Sequence, residues 1–98
     1  MGLRVEIMFE VVGKKVKEAF GDRVKEVIVF GSRARGDAKP ESDLDVLVVL
    51  DKIEPKDWDR AGELSAELTL ELGISVMIVL HTRKDSLYET AVKEGIVV

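Results

Sequence analysis

Cysteine is absent from this sequence of 98 residues. Without thiols the chain can form neither a disulfide nor a thiolate metal site. Apolar runs are short, as in 27–30 and 46–50, whereas a membrane-spanning helix needs about 20 apolar residues. The first residues do not combine a basic region with an apolar stretch, so they do not resemble a signal peptide. These absences predict a cytoplasmic protein that does not enter a membrane.

Positive charge is also in deficit, with 15 basic against 19 acidic residues and a net charge of −4. Domains that coat nucleic acid are usually basic, so the balance gives no direct evidence for nucleic-acid binding. It allows a small anionic substrate held by local basic residues and a metal ion. A hydrophobic share of 46% is typical of globular proteins. The length suits one domain, and we expect residues 1–98 to form it.

The periodicity of apolar residues predicts alternating helices and strands. Spacings of three and four predict helices at 5–20, 55–73 and 84–93. Short β-branched stretches bounded by glycine or acidic residues predict strands at 24–30, 43–50, 74–80 and 96–98. A further helical turn is expected after Ser32. The order predicts an α/β (α+β) fold in which helices pack on a mixed β-sheet.

A glycine-serine segment follows the first predicted strand directly. Gly31 allows the backbone to approach a ligand closely, and Ser32 adds a hydroxyl and an amide where a helical turn would bind an anion. Arg33 and Arg35 place positive charge nearby, and guanidinium groups bind phosphate through paired hydrogen bonds. The spacing of a Walker loop is absent. The alternative is an ordinary turn that ends a strand, with both arginines in solvent.

Two aspartates begin the second predicted strand. Alternate residues of a strand share a face about 6–7 Å apart, so Asp43 and Asp45 lie on the same side. Two carboxylates this close repel each other, and a hard cation such as Mg²⁺ or Mn²⁺ would offset the repulsion. The alternative is a pair that faces water in a turn.

The two segments together are more specific than either one. If the connecting loop lets the two strands pair, the anion-binding turn and the carboxylates face each other. That arrangement suits metal-assisted phosphoryl or nucleotidyl transfer.

The segments 31–36 (GSRARG) and 42–46 (SDLDV) resemble the signature of the DNA polymerase β nucleotidyltransferase superfamily. The similarity is greatest to the minimal stand-alone domains of bacteria and archaea. The resemblance implies a palm-like fold that binds a nucleoside triphosphate, such as ATP, and transfers its nucleoside monophosphate to a hydroxyl group. It implies that Gly31 and Ser32 bind the triphosphate, and that Asp43 and Asp45 are catalytic ligands of the metal ions. Arg33 or Arg35 would neutralise charge.

The resemblance also implies a partner, because so small a domain has no room for an acceptor-binding region. The partner is a small all-helical protein, for which the domain can act as an antitoxin, or a second copy of the chain. The sequence departs from the family at one point. Active members carry a third carboxylate on the strand after the long helix. In this chain that position falls at Ser75 or Met77, neither of which is acidic. Neither side chain can replace a carboxylate as a Mg²⁺ ligand or base. The alternative function is therefore a catalytically impaired module that binds nucleotide or masks a partner.

Overall fold

A computed structural model of the chain describes residues 4–82 and 85–98. The helices are α1 (Val5–Phe20), α2 (Ser32–Arg35), α3 (Pro55–Leu72) and α4 (Ser86–Glu94), with a 3₁₀ turn at Gly21–Arg23. The strands are β1 (Val24–Phe30), β2 (Leu44–Leu50), β3 (Val76–His81) and β4 (Ile96–Val97). Among the described helices, none is both long and apolar enough to cross a bilayer. The predicted order of elements is confirmed.

Several predicted boundaries shift by one or two residues. The strand predicted from Asp43 begins at Leu44, and the strand predicted from residue 74 begins at Val76. The last helix begins at Ser86, while Lys84, its predicted first residue, lies outside the described residues. Asp85 caps this helix, since its carboxylate accepts hydrogen bonds from the amides of Leu87 and Tyr88.

The four strands form one mixed sheet in the order β3-β2-β1-β4. β1 pairs antiparallel with β2 and with β4, while β2 pairs parallel with β3. Helix α3 connects the two parallel strands, as a crossover requires. The predicted mixed sheet with packed helices is confirmed.

Helices cover both faces of the sheet, and the alternation of side chains separates two cores. On one face α1 and α3 pack over alternate residues such as Val46 and Val48. On the other, Ile28, Leu47 and Val49 pack against Ala91 of α4. Both sets are buried, so β2 is apolar on both faces beyond its acidic beginning. Asp45 alternates with Leu47 and Val49 and therefore lies on the α4 face.

An ion pair between the half-buried Arg23 and the buried Asp57 fixes the start of α3. The Asp57 carboxylate accepts two hydrogen bonds from the Arg23 guanidinium, at 2.8 and 2.5 Å, and one from the Glu54 amide at 2.7 Å. The bond from Arg23, followed by the bond from the Glu54 amide, holds the pKa of Asp57 far below its usual range. The pair joins the turn before β1 to the helix after β2.

Two hydroxyl groups of α3 cover the outer edge of β3 where that strand begins. The Val76 amide donates to Oγ1 of Thr69 at 3.0 Å, and the hydroxyl of Ser65 donates to the Val76 carbonyl. These bonds satisfy backbone groups that an edge strand otherwise presents to another chain.

Candidate active site

The turn after β1 depends on a glycine. Gly31 has φ 79° and ψ −162°, a backbone region that is essentially confined to glycine. Its carbonyl accepts the first hydrogen bonds of α2, from the amides of Ala34 and Arg35, both at 3.1 Å. The amides of Ser32 and Arg33 precede those bonds at the start of the helix. The turn therefore offers backbone donors of the kind that bind an anion.

The carboxylate of Asp45 lies directly against this turn. Asp45 is the register partner of Phe30 in the antiparallel pair of β1 and β2, so it faces the residue just before Gly31. A Cβ atom placed on Gly31 would lie 2.5 Å from Oδ2 of Asp45. The two strands pair as the sequence argument required, and their pairing brings the Asp45 carboxylate to the turn.

The electrostatics of Asp45 favour a cation. Asp45 is half-buried, whereas Asp43 is exposed at the mouth of β2. Burial first, and the negative charge of Asp43 second, raise the pKa of Asp45, while the positive charge of Arg35 acts in the opposite direction. The ionised pair is costly without compensation. Carboxylate oxygens are the donors that Mg²⁺ and Mn²⁺ prefer, so these two residues fit a divalent ion.

The two arginines of α2 have different surroundings. The guanidinium of Arg33 donates to the Ser42 carbonyl at 2.9 and 3.2 Å and to the Pro40 carbonyl at 3.2 Å. Arg35 instead forms ion pairs with Asp37, at 3.3 Å, and with Glu94 of α4, at 3.2 Å. Of the two, Arg35 is the one whose charge acts on Asp45. The bonds of Arg33 are with the loop that leads to Asp43.

The strand beside β2 shows which of the two residues expected near the third-carboxylate position lies next to Asp45. Met77 of β3 is the register partner of Asp45, and its side chain is half exposed. Ser75 precedes the strand, and its carbonyl accepts the Leu44 amide at 2.8 Å. Asp85 cannot serve, because it caps α4 and bonds Nε2 of His81 at 2.9 Å. Over residues 4–82 and 85–98, no three His, Asp or Glu side chains cluster as metal ligands.

Comparison with known proteins identifies the family. A family model described as a nucleotidyltransferase domain matches residues 11–98. The chain belongs to this nucleotidyltransferase family. The match spans the glycine-serine turn, both aspartates and β3, and it confirms the family that the two sequence segments indicated.

Two archaeal proteins are related to this chain over most of its length. Protein adenylyltransferase MntA of Thermococcus cleftensis is 36% identical over 86 residues, which cover 87% of this chain and 83% of that protein. A candidate protein adenylyltransferase of Methanocaldococcus jannaschii, MJ0604, is 35% identical over 69 residues, which cover 70% of this chain. The match covers 65% of MJ0604, slightly less than two thirds of its length.

The fold recurs in a solved complex of tri-AMPylated Shewanella oneidensis HEPN toxin with MNT antitoxin. A chain of that complex matches with a TM-score of 0.68 at 18% identity, over 96% of this chain and 71% of its own length. At this identity the likeness supports the fold, and it agrees with the mixed sheet described above.

Proposed function

We propose that residues 1–98 act as a nucleotidyltransferase domain that binds a nucleoside triphosphate with Mg²⁺ or Mn²⁺ and transfers the nucleoside monophosphate to a protein hydroxyl group. The observation that carries the proposal is the contact of the Asp45 carboxylate with the Gly31 turn. This contact supports a shared site, because it brings Asp45 of the carboxylate pair next to the backbone amides of the turn. The relatives named protein adenylyltransferases support ATP as the nucleotide and a protein as the acceptor.

Each residue has a defined task in this proposal. Asp43 and Asp45 would hold the divalent ion, which supplies charge neutralisation for the triphosphate oxygens. The amides of Ser32 and Arg33 donate to phosphate oxygens, and Gly31 keeps the turn open to them. Arg35 adds positive charge near Asp45. The acceptor oxygen forms a bond to the α-phosphorus, the bond to pyrophosphate breaks, and the hydroxyl proton passes to solvent.

The proposed acceptor lies on a separate protein, which is a small helical partner for which this chain acts as an antitoxin. The Shewanella complex supports this, because it joins an AMPylated toxin to an antitoxin. A second copy of the chain is the other proposed acceptor.

The test is incubation with α-labelled ATP and Mg²⁺ or Mn²⁺, alone and with the protein encoded by the neighbouring gene. We expect label on that protein and a mass increase of one AMP. Asp43→Asn and Asp45→Asn should abolish labelling, whereas Asp59→Asn on the far helix α3 should not. Absence of label in every mixture, with the nucleotide bound, would contradict transfer.

The second candidate is a nucleotide-binding or partner-masking module with little turnover. It is favoured by Met77, whose thioether stands where the register would bring a third carboxylate beside Asp45. A thioether is a poor ligand for Mg²⁺ and cannot accept a proton near neutral pH. In this case the wild-type chain binds ATP and leaves the partner unlabelled. Met77→Asp should then create labelling, and Met77→Asn, which is polar but uncharged, should not.

A further inference from the structure

Arg33 has a set of hydrogen bonds that the proposed function does not use. Nε and Nη2 of its guanidinium both donate to the Ser42 carbonyl, and Nη2 also donates to the Pro40 carbonyl. These acceptors belong to the loop between α2 and β2. The half-buried guanidinium thus connects the helix of the anion-binding turn to the residue just before Asp43.

The loop is compact at the point where Arg33 holds it. The Ser42 amide donates to the Lys39 carbonyl at 2.9 Å, and the Lys39 amide donates to Oγ of Ser42 at 2.9 Å. The two bonds close a turn of four residues. Because these internal bonds keep the turn together, a group that binds the Ser42 carbonyl fixes the position of the whole turn.

Asp43 lies between two anchored peptide groups. On one side the Ser42 carbonyl is held by Arg33, and on the other the Leu44 amide donates to the Ser75 carbonyl at 2.8 Å. Asp43 itself precedes the first residue of β2 and is exposed. Its negative charge also repels that of Asp45 when both are ionised. The position of Asp45 is therefore fixed by strand pairing, whereas the position of Asp43 depends on the loop before β2.

We propose that Arg33 is a positioning residue that holds Asp43 beside Asp45 through the Ser42 carbonyl, so that the divalent ion meets two preorganised carboxylates. The inference deepens the proposed function and rests on its metal site. A guanidinium presents several donors in one plane and can bond two carbonyls at once, which a single ammonium does less well. Groups that orient metal ligands typically change metal affinity by about 10- to 100-fold when they are removed.

The test is the affinity of the whole chain for Mn²⁺, measured by electron paramagnetic resonance, in Arg33→Gln, Arg33→Lys and Arg35→Gln. Charge alone predicts that Arg33→Gln and Arg35→Gln both bind Mn²⁺ more tightly, because each loses a positive charge near two carboxylates. Positioning predicts the opposite for Arg33. We expect weaker binding, by about 10- to 100-fold, in both Arg33 variants, and tighter binding in Arg35→Gln. An Arg33→Gln variant that gains affinity as Arg35→Gln does would overturn the proposal.

Hydrogen exchange provides a readout that does not need the metal. We expect the Ser42 amide to exchange faster in Arg33→Gln than in the wild type, while the amides of β1 remain protected. Arg60→Gln, on α3 across the sheet, removes an arginine paired with Glu63 and Glu67 and should change neither readout. If the wild type binds no Mn²⁺, the proposed metal site fails. Unchanged exchange of the Ser42 amide in Arg33→Gln refutes the role of Arg33 separately.

Discussion

Replacing Gly31 with alanine tests whether the turn and the carboxylate depend on each other. The backbone at φ 79° and ψ −162° costs a residue with a Cβ about 1–3 kcal/mol. The added carbon would also meet Oδ2 of Asp45 at 2.5 Å, where ordinary contact begins at 3.4 Å. The carboxylate must therefore retreat from the turn. We expect Gly31→Ala to lose stability and to bind Mn²⁺ at least about tenfold more weakly, in line with the effect of displacing metal ligands.

Gly73→Ala is the matched control. Gly73 also has a positive φ, 75°, but a Cβ there meets nothing within 4 Å. It lies at the end of α3 in the left-handed region, so its alanine variant carries a backbone cost of about 1–2 kcal/mol without touching Asp45. In a domain of this size each kcal/mol lowers Tm by about 4–8 °C. Thermal unfolding and Mn²⁺ titration of both variants separate the two effects. Equal Mn²⁺ affinity in Gly31→Ala and the wild type would refute the reasoning.

Three further predictions concern charge and packing. Burial and Asp43 raise the pKa of Asp45. The folded state is therefore more stable while Asp45 is protonated, and this stability is lost as pH rises through the raised pKa. Without metal at pH 7, Asp45→Asn should therefore have a higher Tm than the wild type, and added Mg²⁺ should raise only the wild-type Tm; a lower Tm in the variant contradicts this. The lowered pKa of Asp57 has the opposite effect on stability as pH changes. Its contribution is complete above the ordinary value of 3.8 and is lost below it, so urea unfolding of wild type and Asp57→Asn should differ at pH 6 and converge as acid is added. A gap that is as large at pH 2 as at pH 6 argues against the ion pair with Arg23. Leu64 is fully buried, and Leu64→Ala should cost about 2–5 kcal/mol in the same assay; a loss under about 1 kcal/mol would mean that the core collapses around the cavity.

Much of the fold is predictable because it is encoded by local periodicity. The helix at 5–20 and the strand at 24–30 match α1 and β1 residue for residue, since glycines end both. The pairing of β1 with β2, in which Phe30 lies opposite Asp45, is not encoded by periodicity, because a long loop of undetermined path separates the two strands in sequence. Periodicity placed both residues at strand ends and could not by itself bring the ends together.

The candidate site was less predictable where it depends on distant contacts. Arg33 and Arg35 are the same residue type two positions apart, so the sequence cannot tell their contacts apart. Only the folded structure shows that Arg33 bonds Ser42 and that Arg35 pairs with Glu94. Glu94 is 59 positions from Arg35, and no local pattern signals such a contact. The choice of Met77 over Ser75 likewise required the register of β2 with β3. In each case the family signature indicated residue types, and three-dimensional pairing decided their surroundings.

The hydroxyl groups of Ser65 and Thr69 bear on how this chain meets other chains. By bonding the Val76 amide and carbonyl, they prevent an incoming strand from extending the sheet at the start of β3. A chain that approaches this edge finds both backbone groups of Val76 already bonded, so it cannot pair with them as an added strand. Thr69→Val keeps the shape of the side chain and removes its acceptor. Such a change would leave the Val76 amide available and favour association of chains through this edge during prolonged storage.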